Sequence, residues 1–235
     1  MPSTWLLTRE ADDARSDREP LDARGLPVIE VPCVETSWRA WPWAEAAGVT
    51  LFTSRRTVRA WDQAGRPPLG DVVTLSPASE RALLEVGLVP SLAVEGGVVA
   101  LAEHLVARWE VLGRPPTLVR YPTSNAGLQT PEQRDAMKLL SLLGEVDRRV
   151  VYELRAPERL ALALAAATTF GWSITFSSPS AVSHFFAALR EARPPYQVVC
   201  LGRSTARAWN ELRRAGWPEA ITTSDLRSTL HEVTA

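Results

Sequence analysis

The sequence predicts an α/β protein built from two duplicated halves, each with parallel strands covered by helices on both faces. Short apolar runs alternate with stretches of helical spacing, which is typical of parallel sheets. Similar strings of residues recur in the two halves of the chain. In each half, a short segment after the second predicted strand interrupts the alternation.

The duplication rests on three pairs of segments. Residues 52–58 resemble 176–182, residues 72–83 resemble 198–209, and residues 5–9 resemble 117–121. Because the three segments recur in the same order in both halves, we interpret the two halves as copies of one structural plan.

Eight apolar runs predict short buried strands. They lie near residues 5–8, 28–31, 49–53, 72–75, 117–121, 146–152, 172–177 and 197–201. Apolar spacing predicts helices over 55–64, 98–109, 179–190 and 203–215. Ser178 followed by Pro179 is typical of a helix start, with serine as the cap and proline in the first turn.

The composition excludes several classes of protein. The chain has 235 residues and a net charge of -1, which argues against nucleic acid as a partner. Two cysteines and three histidines are too few for a disulfide scaffold or a His/Cys zinc cluster. The first ten residues do not resemble a signal peptide, and the apolar run 160–169 is too short to span a bilayer. We expect a cytoplasmic protein without a membrane partner.

The domain boundaries follow less directly from the pattern. Segments 33–43 and 153–158 break the alternation and are predicted to be linkers. The first 32 residues are too few to form a core, so they must complete another sheet. They could join 44–110 or 159–235, and periodicity does not choose between these partners.

Hydroxyl and guanidinium groups stand at the carboxyl ends of most predicted strands. Ligands of open parallel sheets bind at this edge, where helix N-termini also favour anions. The candidate anion-binding residues at these ends are Thr8, Arg9, Ser54, Arg55, Ser178, Arg203 and Thr205. The alternative is that the serines and threonines only cap helices and the arginines are solvated.

Tyr152 stands apart because it ends a predicted strand and begins the second linker. A phenol there can donate a proton or a hydrogen bond. The alternative is a half-buried tyrosine that only packs.

Taken in order, several of these motifs resemble the uroporphyrinogen-III synthase family. They are Thr8-Arg9, Phe52-Thr53-Ser54 with Val58, Val151-Tyr152, Phe176 to Ser180, and Gly202-Arg203-Ser204-Thr205-Ala206 followed by Gly216. The resemblance covers essentially the whole chain. The sequence departs from the pattern at Ser79-Glu80, where an acidic residue replaces a small one and puts the role of Ser79 in doubt.

The resemblance implies two α/β domains joined by a two-stranded linker. The expected limits are 1–32 plus 158–235 for one domain and 38–150 for the other, with 33–37 and 151–157 as linkers and hinge. The active site is then expected in the cleft between them. The implied reaction cyclises hydroxymethylbilane to uroporphyrinogen III with inversion of ring D and loss of water.

The resemblance also implies roles for the candidate residues. Tyr152 is expected to assist departure of the substrate hydroxyl. The candidate anion-binding residues, together with Ser79 and Ser180 of the family motifs, are expected to hold the substrate carboxylates. No cofactor or metal is implied. We expect a monomer that contacts the bilane-producing deaminase transiently. The alternatives are a two-lobed binding protein for an anionic small molecule and a regulatory relic without turnover.

Overall fold

The computed structural model describes residues 4–46, 48–113, 118–125, 131–224, 226–227 and 229. Strands and helices alternate along this part of the chain. The strands are β1 (Thr4–Leu7), β2 (Val28–Glu30), β3 (Glu35–Trp38), β4 (Val49–Phe52), β5 (Asp71–Leu75), β6 (Leu92–Val94), β7 (Leu118–Ser124), β8 (Glu145–Arg155), β9 (Trp172–Phe176), β10 (Val198–Leu201) and β11 (Ile221–Thr223). The helices are α1 (Ala11–Asp22), α2 (Arg55–Gln63), α3 (Ala78–Glu85), α4 (Val98–Leu112), α5 (Pro131–Leu140), α6 (Leu160–Ala167), α7 (Pro179–Ala188) and α8 (Arg203–Leu212).

The chain divides into two compact units. The first unit comprises Met1–Glu35 and Arg155–Ala235, and the second comprises Thr36–Leu154. The chain therefore passes between units twice, once within β3 and once within β8. These two strands are neighbours in the sheet of the second unit.

The first unit contains a five-stranded parallel sheet in the order β11-β10-β9-β1-β2. Its central strand β9 is buried at every position. A parallel strand that helices cover on both faces needs a continuous apolar run, which is why the apolar run 172–177 predicts this strand. Aromatic rings of β9, α7 and α8 pack beside it: Trp172, Phe176, Phe185, Phe186 and Trp209.

The second unit contains a six-stranded sheet in the order β3-β8-β7-β4-β5-β6. The pairs from β8 to β6 are parallel. One core lies where strands β4, β5 and β7 meet helices α4 and α5, with Leu105 and Leu140 fully buried. The fold class predicted from the sequence, α/β with parallel sheets in two domains, is confirmed.

The two sheets are copies of one another with a changed chain order. Strands β11, β10, β9, β1 and β2 of the first unit correspond to β6, β5, β4, β7 and β8 of the second. In the first unit the β1-β2 pair comes before the other three strands in the chain, whereas its counterpart β7-β8 comes after them. The predicted duplication is therefore present, as a circular permutation of one plan.

The strand register supports two of the three predicted segment pairs and corrects the third. Phe176 pairs with Cys200 just as Phe52 pairs with Thr74, in agreement with the pairing of segments 52–58 with 176–182 and 72–83 with 198–209. Ser173 of β9 pairs with Trp5 of β1. Val49, which is the counterpart of Ser173 in the second sheet, pairs with Val119 of β7. Trp5 thus corresponds to Val119 and not to Thr117. A shift of two residues keeps every side chain on the same face, so apolar alternation does not reveal it.

Among the residues that the structure describes, no helix combines the length and the apolar character needed to cross a bilayer.

Candidate active site

Tyr152 and Ser54 meet in the second unit. The Tyr152 hydroxyl lies 3.1 Å from the Ser54 Oγ, and the two residues stand on β8 and at the carboxyl end of β4. Only 6% of Tyr152 is exposed, and its ring packs against Trp38 with the ring centres 6.2 Å apart. A phenol in this position has one fixed polar partner and little freedom to rotate away from it.

Ser54 takes this place because it begins a helix. Its backbone is extended, and its Oγ accepts a hydrogen bond from the Thr57 amide at 3.2 Å, which caps α2. With this amide as a donor to Ser54, the serine hydroxyl proton is available for the Tyr152 oxygen, or the phenol can donate instead. The same Ser54 hydroxyl therefore caps α2 and contacts Tyr152.

A second tyrosine lies beside this pair, and sequence reasoning misses it as a site residue. Tyr121 on β7 is 1% exposed, and burial raises the pKa of its phenol, although a hydrogen bond with Thr53 and the charge of Arg148 oppose the shift. The Arg148 guanidinium lies 5.3 Å from the centre of the Tyr121 ring. The signal that could have found Tyr121 is its position as the last residue of the predicted strand 117–121.

Ser79 and Glu80 lie at the start of α3, after β5. Ser79 is 3% exposed. Glu80 turns back to the strand end, where its Oε2 accepts a hydrogen bond from the Ser76 hydroxyl at 2.6 Å. The acidic residue that departs from the family pattern is thus engaged with a neighbouring hydroxyl.

Two further predicted residues stand at exposed helix starts. Arg55 is the exposed first residue of α2, and Arg203 is the exposed first residue of α8. Both place a positive charge at a helix N-terminus, where backbone amides also favour anions.

The end of β1 holds Thr8 and Arg9 in the first unit. Thr8 is 1% exposed, and its hydroxyl donates to the carbonyl of Thr175 on β9 at 2.6 Å. Arg9 forms an ion pair with the buried carboxylate of Asp17 on α1 at 3.1 Å. The Thr8 hydroxyl proton is therefore engaged in a hydrogen bond within the sheet. Half-buried Arg9 already has one carboxylate partner.

The ends of β9 and β10 place the remaining candidates on neighbouring strands. Ser178 caps α7 through a 3.2 Å hydrogen bond from the Ala181 amide, as predicted, and Ser180 is half-buried in the first turn. Thr205 is 1% exposed in the first turn of α8. Gly202 precedes this helix with φ of 114°, a conformation that a residue with a Cβ rarely adopts, so glycine is required there.

The structure thus distributes the ten candidates over two sheet edges. Thr8, Arg9, Ser178, Ser180, Arg203 and Thr205 share the carboxyl edge of the first sheet, and Ser54, Arg55, Ser79 and Tyr152 belong to the second. A hydrogen bond between side chains joins two of these candidates, Ser54 and Tyr152. Hydroxyls, guanidinium groups and helix N-termini at such edges bind carboxylates.

Comparison with known proteins shows the family of the chain. The family model "Uroporphyrinogen-III synthase HemD" matches residues 16–226. The chain belongs to the uroporphyrinogen-III synthase family. No curated protein sequence matches the chain.

Solved structures of the uroporphyrinogen-III synthase family share the fold. A mutant uroporphyrinogen III synthase from Thermus thermophilus is 18% identical, with a TM-score of 0.64 over 98% of this chain and 97% of that one. The uroporphyrinogen-III synthetase of Helicobacter pylori is 14% identical, with a TM-score of 0.64 over 99% of this chain and 98% of that one.

Members of the uroporphyrinogen-III synthase family are cyclising lyases of tetrapyrrole biosynthesis. They convert hydroxymethylbilane to uroporphyrinogen III, invert ring D and release water. Family membership assigns this activity to the chain.

Proposed function

We propose that Tyr152 is the general acid of this cyclisation and that Ser54 holds its phenol in place. The observation that carries the proposal is the 3.1 Å contact between the Tyr152 hydroxyl on β8 and the Ser54 Oγ after β4. The phenol proton passes to the terminal hydroxyl of the bilane as the carbon–oxygen bond breaks, and water leaves. The remaining azafulvene cation is then attacked by the substituted carbon of ring D.

The proton balance closes at the end of the reaction. The spiro intermediate formed by that attack fragments and closes again through the free carbon of ring D, which loses its proton. That proton restores the Tyr152 phenol. General acid catalysis of this kind contributes roughly 10²–10⁴-fold to a rate.

We further propose that the substrate carboxylates bind at the two sheet edges. Each unit offers its own set of hydroxyls and helix starts, with exposed Arg55 in the second and exposed Arg203 in the first. A charge-assisted hydrogen bond contributes about 1.5–3 kcal/mol, so a few of them orient a flexible chain. Orientation matters because hydroxymethylbilane cyclises unaided to the wrong isomer.

The test compares the rate of uroporphyrinogen III formation from fresh hydroxymethylbilane with the spontaneous rate of type I formation. We expect the wild type to give mainly the type III isomer, and Tyr152→Phe to lower kcat about 10²-fold. Tyr196→Phe is the matched control, because this tyrosine is 65% exposed in the first unit. Full activity of Tyr152→Phe would remove Tyr152 from the mechanism.

Several finer features remain proposals. We propose domain limits of 1–32 with 158–235 and of 38–150, with linkers 33–37 and 151–157, and the division of contacts near Glu35 and Arg155 supports them.

We propose a cytoplasmic monomer without nucleic-acid or membrane partners. The net charge of -1 and two buried free thiols, which suit a reducing compartment, support this. Size-exclusion chromatography with light scattering tests the oligomeric state.

We also propose that the chain contacts the bilane-producing deaminase transiently. A groove of about 700 Å³ along the tryptophan-rich segment offers an aromatic surface, lined by Trp38, Trp41 and Trp43. Direct transfer would shorten the time in which the unstable bilane is free. Equal type III yields with the deaminase present and with pre-formed bilane at matched flux would count against this contact.

A further inference from the structure

The strand that carries Tyr152 is irregular next to this residue. Strands β7 and β8 pair in regular parallel register up to Thr123 and Val150. The register then shifts, so that Ser124 faces Tyr152 and Val151 is the extra residue on β8. Such a bulge breaks the alternation of side chains along a strand.

The bulge determines where the Tyr152 side chain points. In a regular strand, two consecutive side chains face opposite sides of the sheet. Here Val151 and Tyr152 are both buried, and both belong to the same apolar cluster with Trp43 and Ala60. The extra residue therefore turns Tyr152 toward α2 and its cap, Ser54.

Two contacts hold the backbone of β8 on either side of Tyr152. On the β3 side, the Arg39 amide donates to the Val151 carbonyl at 3.0 Å. On the β7 side, the Asn125 side chain bonds the backbone of Leu154. Its Oδ1 accepts from the Leu154 amide at 2.9 Å, and its Nδ2 donates to the Leu154 carbonyl at the longer distance of 3.4 Å.

The Asn125 side chain thus acts as one more peptide group at the end of β7. A primary amide carries a donor and an acceptor side by side, as the backbone does. Asn125 follows the last residue of β7, and Leu154 lies two residues after Tyr152. The backbone around Tyr152 is fixed just before it by Arg39 and just after it by Asn125.

We propose that Asn125 is a positioning residue for Tyr152, an inference that rests on the proposed role of Tyr152 as the acid. Without the amide, the end of β8 is free to return toward regular register. That relaxation rotates the phenol away from Ser54. Asn125 acts on the phenol through the backbone of Leu154.

The test is a double-mutant cycle in the type III assay. Asn125→Ala is expected to lower kcat about tenfold with little change in KM, because small displacements of a reacting group are costly. In the Tyr152→Phe background the same change is expected to alter kcat less than about twofold, since the group that it positions is gone. Asn125→Leu, which removes both hydrogen bonds and keeps a side chain of similar size, provides the same cycle if the alanine variant does not fold.

The matched control is Asn210→Ala. The Oδ1 of Asn210 also accepts a backbone hydrogen bond, from the Ala220 amide at 3.2 Å, but in the first unit. We expect unchanged kcat. Equal losses from Asn125→Ala in both backgrounds, or no loss at all, would overturn the positioning role and leave the proposed function standing. A wild type that forms no type III isomer would overturn both.

Discussion

Strand-end hydroxyls in this chain differ in what they bind, although the sequence presents them alike. Thr8 gives its proton to the Thr175 carbonyl, whereas Ser54 and Ser178 accept amide hydrogens and keep their own protons. Ser54 in addition contacts the hydroxyl of Tyr152. The difference follows from position, because a cap serine faces outward at a helix start and Thr8 lies between two strands.

The two cysteines illustrate how burial sets reactivity. Burial raises the pKa of both Cys33 and Cys200 from 9.0 to about 12, since a thiolate without water is costly. We predict that neither thiol reacts with a disulfide reagent at pH 8 in the folded protein, where the thiolate fraction is on the order of 10⁻⁴. Both should react after unfolding in guanidinium chloride, which serves as the control.

The same shift links the cysteines to stability at high pH. The unfolded chain loses thiol protons above pH 9.0, and the folded chain keeps them up to about pH 12. Stability from the neutral thiols is therefore complete below pH 9.0 and decreases as the pH rises toward 12. Rapid labelling of both thiols at pH 8 without denaturant would contradict their burial.

At the residue scale, the sequence indicates the candidate site residues better than it indicates the residues that position them. Hydroxyls and arginines at strand ends follow from the apolar pattern, whereas the prediction that Tyr152 ends its strand is wrong, because β8 continues to Arg155. Asn125 and the bulge at Val151 do not, because a single inserted residue changes register without changing composition. Tyr121 is missed because its partner Thr53 lies after another strand.

At the scale of elements, apolar periodicity predicts the buried strands well but leaves four of the eight described helices unpredicted, namely α1, α3, α5 and α6. Helix α1 is polar and contains Pro20, α5 carries its apolar residues only in its second half, and α6 is apolar on nearly every side. A periodic signal needs contrast between two faces. Helices α2 and α8 have that contrast, and the prediction of both is confirmed.

Helix α7 gives a stability prediction. Its Phe185 is fully buried and contacts the rings of Trp172, Phe176, Phe186 and Trp209. We predict that Phe185→Ala lowers the free energy of unfolding by about 3–5 kcal/mol, because it leaves a cavity among large rings. Urea unfolding followed by circular dichroism measures the change.

Phe170→Ala is the matched control for this substitution. Phe170 is 77% exposed in the same unit, so its removal should change the free energy of unfolding by less than about 0.5 kcal/mol. Equal unfolding midpoints for the two variants would show that the aromatic cluster does not stabilise the first unit.

At the scale of the whole molecule, the duplication explains why one unit is continuous in the chain and the other is not. The strands that follow β6 in the second unit, β7 and β8, correspond to β1 and β2, which open the chain. The second unit is thus complete within Thr36–Leu154, whereas the first needs both ends of the chain. The sequence shows the copies but leaves the partner of the first 32 residues open, because periodicity carries no information on long-range pairing.

This asymmetry predicts that residues 36–154 fold alone. Three apolar clusters lie entirely within this segment, around Leu105, Phe52 and Tyr152. The segment contains all six strands of the sheet except Glu35 at the start of β3 and Arg155 at the end of β8. We expect cooperative thermal unfolding of the fragment by circular dichroism. A fragment of residues 36–143 is the control, because it lacks β8, which separates β3 from β7. Without that strand the edge of β7 is unpaired and Tyr121 loses its cover by Arg148, so no cooperative transition is expected. Non-cooperative unfolding of 36–154 would mean that the second unit depends on the first for its stability, and that its continuity in the chain does not make it an independent folding unit.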